Sequence, residues 1–389
     1  MDFAFSEEQE ELRRSVRRFL DDRLPMSEVR RLMGTPEGYD KDVWAQMAEP
    51  LGLQGIGIPE QHGGAGCGYV DLIVVFEEMG RSLACVPYFS TVALAANALI
   101  HSGDERAKAD FLPGIASGET VATLAFTEED GNWDIEALSG AGKDGAGDDG
   151  SSSPCLASPP GAQGDPWTLQ GAKSYVIDGN TADLIIVVAR APGGVSMFAV
   201  DCDAPGLVRA PLQTMDTTRK QAELHFSSAP ARLVGEEGGG LRVLEKVLQL
   251  AAVALAGEQV GGAQRCLDMS VEYAKSRIQF GRSIGSFQAI KHKCADILLE
   301  VSSAKSAAYY AAWVAEEDSD ELPVAASLVK SYCSDAYFHA AAENIQVHGG
   351  IGFTWEHDAH LYFKRAKSSE LMLGDPSYHR ELLVRRLGV

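Results

Sequence analysis

Two short patterns in the chain have the spacing of loops that do chemistry. Gly140-Ala141-Gly142-Lys143-Asp144-Gly145 fits GxGxxG, in which glycines let backbone amides approach a pyrophosphate. That use requires a strand before the loop and a helix after it. Here the flanks are mostly Gly, Ala, Ser, Asp and Pro, so the phosphate reading is set aside. Gly281-Arg282-Ser283-Ile284-Gly285 fits GxSxG, the spacing of a serine nucleophile on a strand-to-helix elbow. The preceding Val271 to Phe280 stretch is charged and helical in pattern, and the hydrolase reading is set aside too. The seven cysteines (Cys67, Cys85, Cys155, Cys202, Cys266, Cys294 and Cys333) are odd in number and never at CxxC spacing. Zinc ribbons, thioredoxin-like pairs and disulfide scaffolds are excluded on that ground. His292, His339, His348, His357, His360 and His379 lack Cys or acidic neighbours at ligand spacing, so no metal is expected. Glu245, Glu258 and Glu370 fall on helices, where a solvated or ion-paired carboxylate is the plain expectation.

The elements that must position any site follow from patterning. Ser6 before Glu7, Glu8 and Gln9 is an N-cap with acids in the first turn, and Leu12, Val16, Phe19 and Leu20 make one helix face that ends at Pro25. Helical patterns continue to Ile100, and Pro113 to Gly118 closes the region. From Thr120 the texture turns to short β-type runs separated by Gly, Pro, Asp and Asn, which predicts a small antiparallel domain. Residues 139–165 are almost free of side chains that could be buried and are expected to form a flexible loop. After Gly238-Gly239-Gly240 three long helices are expected. The first runs to about Ser276. The second is capped by Ser286 and buries Ile290, Cys294, Ile297, Leu298, Val301 and Ala308, and the third ends at Gly349-Gly350. Long antiparallel helices of this kind pack as a bundle. The expected class is α+β, divided as 1–119 helical, 120–236 β and 237–389 helical bundle.

Composition bounds the partners. The chain has 389 residues, with 34 Lys and Arg against 55 Asp and Glu, for a net charge of −21. That balance argues against nucleic acid and against an anionic membrane as partners. Scattered thiols, no basic-then-apolar leader and an apolar stretch of only 250–257, far short of the ~20 residues of a membrane span, predict a cytoplasmic protein.

Tyr273-Ala274-Lys275-Ser276-Arg277-Ile278-Gln279-Phe280-Gly281, followed by Ile284-Gly285-Ser286-Phe287-Gln288, closely resembles the YAxxRxQFGxxIxxFQ signature of the acyl-CoA dehydrogenase family. Gln346-Val347-His348-Gly349-Gly350-Ile351-Gly352-Phe353 and the opening Phe5-Ser6-Glu7-Glu8-Gln9 agree with it, in the right order over nearly the whole chain. The resemblance implies an N-terminal helical domain, a middle β domain and a C-terminal four-helix bundle, assembled as a tetramer with FAD at subunit interfaces. It implies α,β-desaturation of an acyl-CoA thioester, with electrons leaving to an electron-transfer flavoprotein. By the same resemblance Arg277 pairs with the FAD pyrophosphate of a neighbouring subunit, a task suited to a bidentate, permanently charged guanidinium. Gln279, Phe280 and Gln288 are assigned to the adenosine half, and Gln346, Gly349 and Gly350 to the ADP moiety from another subunit.

The flavin end departs from the family. Its T-E-P-x-x-G-S-D run is here Thr127-Glu128-Glu129-Asp130-Gly131-Asn132-Trp133-Asp134, with Trp133 in place of a serine. Its G-x-K-x-W-I-T-N-G run is Gly171-Ala172-Lys173-Ser174-Tyr175-Val176-Ile177-Asp178-Gly179. Thr127 and Tyr175 keep a flavin-facing role, while Ile177 replaces a hydroxyl. The α-proton must leave to a positioned carboxylate. The family's Y-E-G-T segment falls on Met372-Leu373-Gly374-Asp375, so the glutamate position is Leu373. The other location used in the family, on the first long bundle helix, falls on Ala251, with Ala252 at the following arginine position. Three readings stay open: a subunit of a heteromeric dehydrogenase whose partner supplies the base, an autonomous enzyme using Asp375, and a redox-inactive binding protein of the same fold.

Overall fold

A computed structural model describes residues 6–135, 154–162 and 165–389. The chain separates into two compact units, 1–31 with 68–85 and 252–389, and 32–67 with 86–251.

In the first unit α1 (Glu7–Arg23) begins with the expected capping box: Ser6 Oγ accepts from the Gln9 amide, and Gln9 returns a bond to the Ser6 amide. The unit also holds α4 (Tyr69–Ser82), most of α7 (Gly240–Ser276), α8 (Gln288–Glu316), α9 (Leu322–His348), α10 (Ala359–Leu371) and α11 (Pro376–Arg386). The second unit contains α3 (Lys41–Ala48), a π-helical stretch Phe89–Ala96 leading into α5 (Asn97–His101), α6 (Glu105–Ala116) and the β domain, while α2 is Met26–Leu32.

Glycines bring α4 and α7 together. A Cβ on Gly80 would sit 1.9 Å from the Glu258 carbonyl oxygen, and one on Gly261 1.7 Å from that of Glu77. A larger residue at either position would drive the backbones apart. At this crossing Glu77 is buried and receives Arg13 from α1 at 2.8 Å, Lys305 from α8 at 2.8 Å and the Tyr309 hydroxyl at 2.5 Å. Burial pushes its carboxyl up, but Lys305 and Arg13 outweigh that and hold it below the ordinary value.

The β domain is one seven-stranded sheet: β1 (Ala122–Ala125), β2 (Leu156–Ser158), β3 (Trp167–Ile177), β4 (Leu184–Ala191), β5 (Gly194–Asp201), β6 (Leu207–Pro211) and β7 (Gln221–Val234). Two expectations are corrected. The sheet is mixed, not antiparallel throughout, because β1 and β2 both pair with β4 in parallel. The chain between β1 and β4 is long enough for the crossover that parallel pairing requires, and local texture does not encode it. Within 139–165, Leu156–Ser158 is a strand between β3 and β4, its short backbone edge recruited by the sheet. The glycine pattern at 140–145 and most of the rest of that expected loop lie outside the described residues.

Two helix ends also differ. Ser286 does not cap α8; its hydroxyl donates to the Ser283 carbonyl, and the N-cap is Phe287, with no side-chain bond. The apolar face expected on α8 is buried at Ile297, Val301 and Ala308, but Leu298 is 53% exposed and neighbouring Leu299 69%.

Candidate active site

The residues assigned to the ADP side cluster in the first unit. The α7 helix ends at Ser276, and β8 (Ile278–Gln279) pairs with β9 (Arg282–Ser283) in a two-stranded hairpin. Its turn places Phe280 and Gly281 at φ 53° and 77°. Glycine adopts that region freely, whereas phenylalanine does so at a cost. Phe280 is 92% exposed. Arg277 is exposed, and among the described residues its guanidinium has no hydrogen-bond or ion-pair partner. The Gln279 side chain donates to its neighbour's carbonyl, and Gln288 is exposed at the start of α8.

The second assigned segment lies beside this hairpin. His348, the last residue of α9, stacks on Tyr273 with ring centroids 4.3 Å apart, and the Tyr273 carbonyl receives the Arg277 amide. The arginine turn and the Gly349-Gly350 turn are thereby held side by side in one chain. Gln346 is exposed. Gly349 ends α9 at φ 63°, and a Cβ on Gly349 or Gly350 would have no atom within 4 Å. An arginine without a partner among the described residues, and two exposed glycines on a turn joined to its helix end by the Tyr273–His348 stack, fit an anionic dinucleotide, since the arginine can take a phosphate bidentately and the glycine backbone can be approached closely.

The flavin-side residues lie in the second unit and are engaged with one another. The Thr127 hydroxyl donates to the Ser174 carbonyl and is buried. Lys173, also buried, donates to Glu128 at 2.6 Å and to the Phe126 carbonyl at 3.1 Å. Glu128 and Lys173, which match the two family runs, are thus an ion pair, a partnership that was not foreseen. A register shift between Lys173 and Val176 turns Tyr175 out at φ 56°. The Tyr175 ring lies against Gly131, where a Cβ would stand 2.6 Å from it. Trp133 packs on Phe126 at 5.4 Å, and Ile177 is buried. On this side Trp133 places a ring where the family pattern has a serine.

The base position is apolar as aligned. Leu373 is buried, at φ 62°, and Ala251 and Ala252 are buried on α7. Asp375 is exposed and acts as the N-cap of α11, accepting the Tyr378 amide at 2.7 Å ahead of Pro376. The buried carboxylates are also engaged. Glu258 holds Arg365 at 2.8 Å, Glu78 holds Arg17 and Arg81, and Asp178 and Asp216 receive the Ser90 and Thr218 hydroxyls. Glu370 is only partly engaged: its Oε1 accepts from Lys367 at 2.9 Å, while its Oε2 is buried without a hydrogen-bond partner among the described residues.

A helical N-terminal region, a central β domain and a set of long C-terminal helices are the architecture of a dehydrogenase of acyl thioesters. The family models for the acyl-CoA dehydrogenase N-terminal, middle and C-terminal domains match residues 6–119, 123–229 and 238–388. The chain therefore belongs to the acyl-CoA dehydrogenase family and is an oxidoreductase of that kind. It is 35% identical to acyl-CoA dehydrogenase IpdE2 of Mycobacterium tuberculosis over 97% of this chain and 96% of that one. Among solved structures, a variant of the Tcur3481-Tcur3483 steroid acyl-CoA dehydrogenase superimposes with TM-score 0.84 at 31% identity, covering 98% of each chain. The ChsE4-ChsE5 complex from Mycobacterium tuberculosis does so with TM-score 0.86 at 28% identity, covering 100% of this chain and 99% of that one.

Proposed function

We propose that this chain is one subunit of a heteromeric acyl-CoA dehydrogenase, in which it holds the ADP half of FAD and a homologous partner supplies the carboxylate base. The observation that carries the reading is the asymmetry of the site: an exposed arginine hairpin whose guanidinium has no partner among the described residues, against a base position occupied by Leu373. FAD would supply the acceptor for the hydride of the acyl β-carbon. Arg277 would hold its pyrophosphate, Gln279, Phe280 and Gln288 its adenosine half, and Gln346 with the Gly349-Gly350 turn would admit the ADP moiety. Thr127, Tyr175 and Ile177 form the chain's own flavin-side wall. The exposed Leu298 and Leu299 on α8 supply apolar surface for a neighbouring subunit. Two solved relatives carry two-component names, which is consistent with this assembly. The division at 1–119, 120–236 and 237–389, the cytoplasmic setting, an acyl-CoA substrate and an electron-transfer flavoprotein acceptor belong to the same reading.

The test is the visible spectrum of the purified chain, alone and after co-expression with a homologous acyl-CoA dehydrogenase subunit from the same source. Flavin absorbance and acyl-CoA turnover are expected only with the partner; stoichiometric flavin and turnover from the lone chain overturn the reading. Asp375→Asn in the active assembly is expected to keep full rate, because asparagine caps a helix as well as aspartate does. Loss of turnover would instead make Asp375 the base.

A further inference from the structure

The two turns assigned to the dinucleotide follow different helices, and three rings join them. Tyr273 stands in the last turn of α7, His348 is the last residue of α9, and His357 precedes α10. The His348 ring touches both of the others, 4.3 Å from Tyr273 at an interplanar angle of 28° and 4.4 Å from His357 at 49°. His348 is buried and its orientation is fixed. Its Nδ1 lies 2.8 Å from the Asn344 carbonyl oxygen, which only accepts, so Nδ1 carries the proton. His357 is fixed too, its Nδ1 accepting the Ala359 amide at 3.1 Å. Tyr273 in turn holds the arginine segment, because its carbonyl accepts the Arg277 amide at 2.8 Å.

The glycine turn has no side chains of its own at Gly349 and Gly350, and Ile351 and Phe353 after them are exposed. Gly352 folds back onto the helix end, where a Cβ would stand 2.9 Å from the His348 Cβ and 3.1 Å from the Ile345 carbonyl oxygen. We propose that His348 is a positioning residue for the dinucleotide: through its ring contacts with Tyr273 and His357 it fixes the Gly349-Gly350 turn relative to Arg277. His348 acts through these two turns, and its role rests on the reading above that they are the ADP side of a FAD site.

A bidentate arginine contact and a close backbone approach serve one ligand only when their separation is held. His348 has two features that could hold it, the Nδ1 donor and the ring. The donor closes the last turn of α9, a bond within one helix. The ring reaches out of that helix, to α7 on one contact and to the segment before α10 on the other. Two substitutions separate these features. Phenylalanine keeps a ring and lacks the donor, whereas glutamine keeps a donor and lacks the ring. If the ring positions the turn, phenylalanine works and glutamine does not. If His348 only finishes the helix, the order is reversed.

The first readout is FAD retention on ultrafiltration, in whichever form carries flavin, the lone chain or the co-expressed assembly. His348→Ala and His348→Gln are expected to weaken retention about tenfold, and His348→Phe to stay within about twofold of wild type. In an Arg277→Ala background His348→Ala should add less than about twofold, because no arginine is left to keep in register. The second readout is hydrogen exchange of the full-length lone chain, which needs no flavin. Its reporters are the amides of Arg277, Gly349 and Thr354, bonded to the Tyr273, Gln346 and Ile351 carbonyls. They should exchange at least about tenfold faster in His348→Ala and His348→Gln and as in wild type in His348→Phe. Phenylalanine behaving like alanine, rescue by glutamine, or equal losses of FAD with and without Arg277 overturns the proposal. If His348→Ala does not fold, the comparison of His348→Phe with His348→Gln decides. The FAD reading fails in a different way: Arg277→Ala alone then leaves flavin retention unchanged, or no form carries flavin and the exchange data decide what His348 holds. Failure of the proposal leaves the Arg277→Ala loss in place.

Discussion

The arginine hairpin and the flavin-side wall of the β domain were assigned to the same cofactor, yet they are built in opposite ways. In the hairpin Arg277 has no partner among the described residues, Phe280 is almost fully exposed, and Gly349 and Gly350 face empty space. In the wall Thr127 is bonded to Ser174, Lys173 to Glu128, Trp133 rests on Phe126 and Tyr175 on Gly131. A surface that keeps an unpaired charge and a strained exposed ring is shaped by something outside the chain. A surface whose groups satisfy one another has its main contacts inside it.

The largest effect is expected where the outside contact is strongest. Arg277→Ala in the assembled enzyme should weaken FAD retention by at least about 100-fold, from loss of a charge-assisted bidentate contact worth about 3 kcal/mol. Flavin release during ultrafiltration measures it. The lone chain should melt as wild type does, since the guanidinium has no hydrogen bond or ion pair among the described residues to lose. An equal loss of FAD from Thr127→Ala and none from Arg277→Ala would reverse the comparison.

Gly131→Ala probes the inward-facing side. The residue is at φ 69° and the new Cβ would stand 2.6 Å from the Tyr175 ring, so backbone and packing terms add to about 2 kcal/mol of lost stability. Thermal melting of the lone chain reports it. If the melting temperature holds, Tyr175 is not seated on Gly131 and the wall is looser than its geometry indicates.

Much of the fold was legible because its signals are local. The Ser6 capping box, the stop of α1 at Pro25 and the Gly349 end of α9 depend on residues within a turn of each other. What escaped depends on distant partners. Parallel pairing of β1 with β4 and the recruitment of Leu156–Ser158 come from strands far along the chain. Lys330 in sequence is one lysine in a helix; only the carbonyls of Glu370 and Gly374 make it a buried anchor. Leu298, expected on the buried face of α8, is exposed instead, because an apolar stripe in the sequence does not say which of its residues the chain's own fold covers.

The smallest change in stability belongs to Phe280, and it separates the two sides most cleanly. Its φ of 53° costs a phenylalanine roughly 1 kcal/mol, and asparagine adopts that region with much less strain. The ring meets Phe287 edge-on at 6.1 Å but is otherwise in solvent. Phe280→Asn should therefore leave the lone chain as stable as wild type, or more stable by about 0.5 kcal/mol, in a thermal melt. The same substitution should weaken association with the partner, read as faster subunit exchange or a shift to smaller species on dilution. A residue kept against the preference of its own backbone has its benefit in the assembly. A lone chain destabilised by Phe280→Asn, with association unchanged, would place that benefit inside the hairpin and remove the strongest contrast between the two regions.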